Sequence, residues 1–296
     1  DPLSEVDHAV ELVKEYNCDS FKIIGIKIFL DGVNGGMTSW TLDPYVGYRY
    51  KGKPYSGCKR WNYDRIDELA GIIRKANGNG LSVEFHAIGS GAARYALDAI
   101  EKAQAGTTDP DFRNAVAHLN CVDKEDVPRF GKLNVIPVAA PQWYVFSPAE
   151  VKGEKLIYGD PETDKDLKGN GYLDMGTLQS YLDTGARPAF HSDADDHMKP
   201  STILFCAVNK YDPTADPEMK PRNIKERMSA VDAVKCFTIN SAYALHEEET
   251  AGTLEEGKDA DFVVFDADFT DDAVMADPKI CGIPPKALYI NGEKIY

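Results

Sequence analysis

The sequence lacks the features that identify several classes of protein. It has no run of about 18 apolar residues, the length that crosses a bilayer as a helix, so we expect no membrane span. Its first 16 residues, DPLSEVDHAVELVKEY, contain neither the basic segment nor the apolar core of a signal peptide. We therefore expect a cytoplasmic protein. The chain also begins without Met, and we expect its natural start to lie further upstream.

Basic residues are scarce relative to acidic ones. The 296 residues include 33 Lys and Arg against 48 Asp and Glu, which gives a net charge of −15. Binding to nucleic-acid phosphates requires a concentrated basic face, and we find none in the sequence. We therefore expect no nucleic-acid partner. We expect the excess of acidic residues to keep the protein soluble.

Paired cysteine motifs are also absent. Six scattered cysteines form no C-x-x-C pair: Cys18, Cys58, Cys121, Cys206, Cys236 and Cys281. In a chain of this size, such spacing favours reduced, mostly buried thiols over a disulfide scaffold.

Strand-like and helical stretches alternate along most of the chain, which is typical of an α/β protein. FKIIGIKIFLDG (21–32) is the first strong strand, and a loop at 33–61 follows that is far longer than an ordinary connection. Further strands are predicted at 81–85, 113–120, 134–140 and 187–193, with helical segments between them. A polar stretch at 147–174 interrupts this pattern. Such units build a (β/α) barrel, but we count four or five of them where a closed barrel needs eight. We therefore predict an incomplete TIM barrel.

Residues 247–296 have a different character. TLEEGKDADFVVFDADF and ALYINGEKIY read as β-structure, in contrast to the helices near 200–210 and 226–246 that precede them. Asn291-Gly292 predicts a tight hairpin within the second segment. We therefore predict a barrel portion in residues 1–246 and a separate β-rich segment in 247–296.

Three of the six histidines and one acidic residue fall where predicted strands end: His86, His118, His191 and Asp193. Lys27 lies within the first strong strand. The ends of successive strands converge at the mouth of a barrel. Imidazole and carboxylate groups that converge there are good ligands for zinc or a similar ion. A metal site is one interpretation, and ordinary hydrogen-bonded histidines are the other.

Other chemistries have weaker patterns. No G-x-S-x-G motif supports a serine hydrolase. AIGSGA (87–92) lacks the Lys-Ser/Thr pair of a phosphate-binding loop. GDPETDKDLKGNG (159–171) alternates acidic residues as calcium loops do, but it lacks their ligand order and closing Glu, so we favour a solvated loop.

Several segments, taken together, resemble the amidohydrolase family 3 branch of the metal-dependent amidohydrolase superfamily, which includes YtcJ-like proteins and N-substituted formamide deformylases. They are GIKIFLDGVNGG, FHAIGSGA, AVAHLNCVDKEDVPRFGKLNVIPVAAPQW, FHSDA and SAVDAVKCFTINSAYALHEEETAGTLEEGKDADFVVFD. In this resemblance, GTLEEGKDADFVV marks the return of the chain to a β-sandwich beside the barrel. The resemblance therefore implies that residues 247–296 are a β-sandwich segment.

The resemblance also implies an activity, the metal-dependent hydrolysis of a carbon–nitrogen amide bond in a small molecule. Lys27 matches a lysine that is carboxylated to bridge metal ions; the alternative is an ordinary lysine paired with Asp31. His86 and His118 match the histidines after the fifth and sixth barrel strands. Asp193 matches the eighth-strand aspartate, which binds metal and acts as general base. We expect one or two divalent ions at this site, with zinc as the first candidate.

Three further residues are candidates for contact with the substrate: His191, Trp143 and Trp40. His191 lies two residues before Asp193, so both would face the same side of a strand. It could contact the substrate or give the metal an extra ligand, and we favour a role in support of the metal ligands. Trp143 ends the matched segment APQW, and Trp40 lies in the long loop at 33–61, whose aromatic residues could also clasp a ligand without metal.

The chain departs from the family pattern in several respects, including the following two. The superfamily's first-strand H-x-H pair is absent, and Ser90 stands where the family usually has Asp. We expect the chain to be the carboxyl-terminal portion of a longer enzyme; a degenerate protein that has lost catalysis is the other interpretation. A non-catalytic regulatory or ligand-binding protein derived from this fold, and a homodimer, also stay open.

Overall fold

The computed structural model describes residues 2–108, 110–145, 148–164, 171–193, 199–213 and 221–296. Its strands are β1 (Gly25–Phe29), β2 (Arg49–Tyr50), β3 (Lys53–Pro54), β4 (Ser82–Ala87), β5 (Ala115–His118), β6 (Ile136–Ala139), β7 (Ala189–Phe190), β8 (Phe262–Val264), β9 (Ala287–Ile290) and β10 (Glu293–Lys294). Five of them form a parallel sheet in the order β1-β4-β5-β6-β7. β2 and β3 form a short hairpin inside the long loop.

Helices lie between successive strands of the parallel sheet, as the sequence predicts, and further helices precede and follow it. They are α1 (Pro2–Tyr16), α2 (Ile66–Gly78), α3 (Ser90–Ala103), α4 (Val127–Lys132), α5 (Pro148–Tyr158), α6 (Gln179–Asp183), α7 (Pro200–Asn209), α8 (Ala230–Phe237), α9 (Ile239–Ala244) and α10 (Asp272–Met275). α3 follows β4, α4 follows β5, and α7 follows β7. The repeated strand–helix units are therefore present.

Two predicted segments differ from the structure. The single helix expected near 226–246 is divided into α8 and α9, because Thr238 leaves helical geometry with φ −118° and ψ −93°. The polar stretch at 147–174, which interrupts the predicted pattern, contains α5. The many charged residues of this stretch make its helical pattern hard to recognise in the sequence, although the helix has an apolar side on which Ile157 is buried.

The two faces of β4 determine what lies inside and outside the sheet. Val83 and Phe85 are fully buried in the hydrophobic cluster that contains the buried residues of α2 and α3. Because side chains alternate along a strand, Glu84 and His86 lie on the opposite face. The face of β4 with Val83 and Phe85 therefore packs in the hydrophobic core, and the face with Glu84 and His86 carries the ionisable groups.

The register of the sheet aligns the carboxyl ends of its strands. Phe29 pairs with His86, Ala87 pairs with His118, and Ala139 pairs with Phe190. Residues that end successive strands consequently meet at one edge, which we call the carboxyl edge.

The carboxyl-terminal segment forms a separate antiparallel sheet of β8, β9 and β10. Asn291 and Gly292 connect β9 to β10 with φ values of +51° and +77°. Both lie in the left-handed region that a tight two-residue hairpin requires. The predicted hairpin is therefore confirmed.

Two further expectations concern the cysteines, which we expect to be reduced thiols, and the helices, none of which we expect to span a membrane. All six cysteines are free thiols, and Cys206, Cys236 and Cys281 are buried. Within the described ranges, none of the helices combines the length and the apolar character needed to cross a membrane.

Candidate active site

Three imidazole rings converge at the carboxyl edge of the parallel sheet. His86 comes from the end of β4, His118 ends β5, and His191 directly follows β7. The ring centroids of His86 and His118 are 4.4 Å apart, and those of His118 and His191 are 5.4 Å apart. We call these three residues the histidine cluster. Sequence reasoning anticipated the cluster because each apolar run ends in a histidine.

His86 is anchored through one ring nitrogen. Its Nε2 donates to the carbonyl oxygen of Gly32 at 3.0 Å and lies 3.5 Å from a carboxylate oxygen of Asp31. The ring is almost fully buried and packs against Phe29 at 4.8 Å. Burial lowers the pKa of His86, so the ring is neutral at physiological pH.

His118 is the most deeply buried member of the histidine cluster. Its backbone has a φ of +80°, and the Tyr144 hydroxyl donates to its carbonyl oxygen at 2.5 Å. Its Nδ1 is buried and has no hydrogen-bond partner among the described residues. Burial, with a smaller effect from the neighbouring His86 and His191, lowers the pKa of His118 to about 2. The structure thus presents a neutral ring whose Nδ1 has unused hydrogen-bonding capacity.

Asp193 provides the carboxylate nearest to this nitrogen. Its Oδ2 lies 3.6 Å from Nδ1 of His118, and its side chain is 33% exposed. Asp193 itself has a φ of +56°, which is uncommon for a residue with a side chain. The predicted general base therefore lies beside the histidine cluster, at the solvent-accessible side.

The rings of Trp143 and His191 both pack against His118. The Trp143 indole stacks on His118 with an interplanar angle of 12° and a centroid distance of 5.5 Å. It also meets His191 edge-on at 6.2 Å. Nε2 of His191 is buried without a hydrogen-bond partner in the part of the chain that the structure describes. Burial lowers the pKa of His191, so this ring is also neutral.

Lys27 lies on β1 and is held by an acidic neighbour. Its Nζ is 2.6 Å from Oε1 of Glu84. The parallel register sets these two residues side by side, whereas Asp31 lies beyond the strand end. The alternative to a carboxylated lysine is an ordinary pairing with Asp31; the structure pairs Lys27 with Glu84 instead.

Trp40 is part of the hydrophobic core. It is 3% exposed, and its ring packs against Tyr95 at 5.6 Å and Tyr63 at 6.1 Å. Gly89 and Gly91 lie so close to it that an added Cβ would approach Trp40 atoms to 2.1 Å and 2.5 Å. Trp40 thus fixes the long loop to the turn after β4, and the structure does not pack its ring against the histidine cluster.

Asp31 is a functional candidate that sequence reasoning did not single out. Its side chain is 0% exposed and accepts hydrogen bonds from the backbone N–H groups of Trp40, Ile88 and Gly89. Burial raises the pKa of Asp31 to about 7, although these three donors oppose the increase. An Asp-Gly pair after a strand predicts a turn, which hid this role.

The chemistry of these donors fits a divalent metal ion. The site offers three imidazoles kept neutral by burial and a carboxylate beside them, which are ligands that zinc accepts. The unpartnered nitrogens of His118 and His191 are suited to such a ligand. Among the described residues, however, no group of three His, Cys, Asp or Glu side chains is arranged as a metal-binding cluster.

Comparison with known proteins identifies a family. The profile of the amidohydrolase family matches residues 3–296. The chain is 27% identical to the protein LONG AFTER FAR-RED 3 of Arabidopsis thaliana over 92% of its own length and 42% of the relative's. It is 26% identical to a putative amidohydrolase, YtcJ, of Bacillus subtilis, over 92% of this chain and 46% of the relative. It is 25% identical to an N-substituted formamide deformylase of Arthrobacter pascens, over 73% of this chain and 38% of the relative.

Solved structures support the fold. An uncharacterised metal-dependent hydrolase from Pyrococcus furiosus superposes with a TM-score of 0.64 and 25% identity, over 86% of this chain and 47% of that one. The chain thus spans less than half the length of this structure and of the three relatives above. The predicted fold class, a TIM-barrel portion with a carboxyl-terminal β-sandwich segment, is confirmed.

Proposed function

This chain belongs to the amidohydrolase family, and from that premise we propose that it forms part of a metal-dependent hydrolase of carbon–nitrogen bonds in small molecules. One observation carries the proposal. Three neutral histidines from parallel strands converge at the carboxyl edge beside a carboxylate; His86 and His118 are buried and His191 is partly buried. The rings of His118 and His191 each retain a nitrogen without a partner among the described residues. The names of the relatives support an amide-type substrate, since one is a formamide deformylase and another a putative amidohydrolase.

His86, His118 and Asp193 are the proposed ligands of the ion, with zinc as the first candidate. A bound divalent ion would lower the pKa of water to about 7 and so supply hydroxide at neutral pH. Burial prepares the histidines for this role because it keeps them unprotonated. Asp193 would accept the proton of the attacking water and deliver it to the departing nitrogen. Trp143 and His191 would contact the substrate and limit the access of bulk water.

Lys27 is the proposed additional ligand, through carboxylation of its amine. This role requires the loss of its ion pair with Glu84, because a carboxylated lysine is an anion. The second candidate function, a non-catalytic ligand-binding protein of the same fold, would keep this 2.6 Å pair. Incorporation of labelled bicarbonate at Lys27 in the full-length protein would separate the two.

The chain supplies only part of the barrel in this proposal. β1 and β7 are the edge strands of the parallel sheet, and the relatives are more than twice as long as the matched region. We propose that further strands of the full-length protein close the barrel and add the missing H-x-H ligands. A protein that has lost those strands would instead be a degenerate family member.

The remaining expectations from the sequence stay predictions. They are the unit boundary after residue 246, the homodimer, the cytoplasmic location and the lack of a nucleic-acid partner.

The direct test is a hydrolysis assay of the full-length protein after chelation and reconstitution with zinc. A panel of N-formyl and N-acyl amines is the appropriate substrate set. We expect release of the amine that depends on added metal. Amine release that is equal with and without metal would contradict metal dependence, and no release from any member of the panel would favour the binding protein.

A further inference from the structure

The Asp31 carboxylate joins three separate segments at the edge where His86 lies. Its Oδ2 accepts from the N–H groups of Trp40 at 2.8 Å and Gly89 at 2.9 Å. Its Oδ1 accepts from the N–H of Ile88 at 3.1 Å and lies 3.5 Å from Nε2 of His86. One buried side chain thus connects the end of β1, the long loop and the turn that follows β4.

The same turn fixes which nitrogen of His86 carries hydrogen. A carbonyl oxygen can only accept a hydrogen bond, so the 3.0 Å contact from Nε2 of His86 to Gly32 requires a proton on Nε2. The Asp31 carboxylate is likewise an acceptor on this side of the ring. A neutral imidazole carries one ring proton, so Nδ1 is left with the lone pair.

The position of Gly32 depends on its neighbours as well. The N–H of Gly32 donates to the carbonyl of Thr38 at 3.0 Å, and a Cβ at this position would come within 2.1 Å of the Thr38 hydroxyl. Arg60 donates to the carbonyl of Asp31 at 3.1 Å. The acceptor that faces His86 is therefore held from both sides by the long loop.

We propose that Asp31 is a positioning residue that holds His86 as its Nε2–H tautomer, so that Nδ1 is the nitrogen available to a metal ion. Asp31 acts through the backbone of the turn and through His86. Its role as a determinant of the tautomer is independent of the metal, and only the consequence for metal affinity rests on the proposed function.

The test uses Asp31→Asn in the full-length, metal-free protein with labelled histidines. The amide NH2 group cannot accept, so at least one of the three backbone donors loses its acceptor. We expect ¹⁵N and ¹³C shifts of His86 to show the Nε2–H form in the wild type and loss of that form in the variant. Asp126→Asn is the matched control, because Asp126 is also a buried carboxylate but binds Arg94 and Arg129 instead.

The wild-type spectrum alone can overturn the proposal even if Asp31→Asn does not fold. An Nδ1–H form of His86 in the wild type would overturn the proposal, as would an unchanged tautomer in a folded Asp31→Asn variant. Zinc titration adds a second readout, with affinity lowered about 10–100-fold in Asp31→Asn and retained in Asp126→Asn. A wild-type protein that binds no zinc would refute the proposed function, whereas the tautomer result would still decide the role of Asp31.

Discussion

Polar groups are paired differently at the two edges of the parallel sheet, the carboxyl edge and the opposite edge where the strands begin, which we call the amino edge. At the amino edge, Arg113 forms a two-fold ion pair with Glu248, and Ser82 bonds to His246 at 2.8 Å. At the carboxyl edge, ring nitrogens of His118 and His191 are buried without hydrogen-bond partners among the described residues. Leaving a buried polar atom unpaired costs about 1–3 kcal/mol. These polar groups at the amino edge are paired with one another, whereas the carboxyl edge has ring nitrogens that the proposed site could use.

The largest expected effect comes from removing a ring at the carboxyl edge. His118→Asn should lower kcat/KM of the full-length enzyme by more than the ~10–100-fold that changes around a metal ligand cause. His246→Asn is the matched control, because it removes a histidine at the amino edge of the same sheet. Steady-state kinetics measures both variants. Equal losses of kcat/KM in the two would erase the proposed distinction between the edges.

Arg113→Gln tests the amino edge through stability. The variant removes a charged pair with Glu248 and a bond to the carbonyl of Tyr243. We expect a loss of about 1.5–3 kcal/mol in the free energy of unfolding, because hydrogen bonds to charged groups contribute on that scale. Urea denaturation measures the loss. Metal content per folded molecule should not change; a protein that keeps its stability but loses metal would assign this edge a functional role.

The pH dependence of stability sharpens the same contrast. The pKa of His118 is about 2 in the folded protein, so below its ordinary value of about 6.5 the unfolded chain binds the proton more tightly. Stability is therefore lost as pH falls from about 6.5 toward 2, and His118 contributes up to ~1.4 kcal/mol per pH unit. In metal-free protein, denaturation at pH 6 and pH 5 should show a shallower loss in His118→Asn. Parallel curves for wild type and variant would show that His118 is not buried in its neutral form.

The smallest expected effect separates the two tryptophans. Trp143→Phe should alter KM or kcat/KM several-fold, since an aromatic pair contributes about 0.5–1.5 kcal/mol. Trp40→Phe should instead lower the free energy of unfolding, because Trp40 lies in the core with Tyr63 and Tyr95. Kinetics and denaturation of both variants check this. A kinetic defect confined to Trp40→Phe would place the substrate at the long loop.

Local patterns in the sequence predicted the frame of the molecule. Apolar runs that end in His86, His118 and His191 predicted both the strands and the meeting of these rings, because parallel strands align their carboxyl ends. The hairpin at Asn291-Gly292 followed from turn chemistry alone.

Pairings across the sheet were beyond local reasoning. The Lys27–Glu84 ion pair depends on the register of two strands that lie 57 residues apart in the chain. The bonds of Asp31 to Ile88 and Gly89 depend on the same packing. The local sequence around Lys27 and around Asp31 does not indicate which residues they contact. These contacts are seen only in the assembled sheet.

Metal content tests the central claim most directly. The full-length wild type, His118→Asn and His246→Asn would each be reconstituted with zinc, desalted and analysed by mass spectrometry of the bound element. We expect near-stoichiometric zinc in the wild type and His246→Asn, and its loss in His118→Asn. A wild type that holds no metal, or a His118→Asn variant that retains it fully, would contradict the account of the carboxyl edge as a metal site.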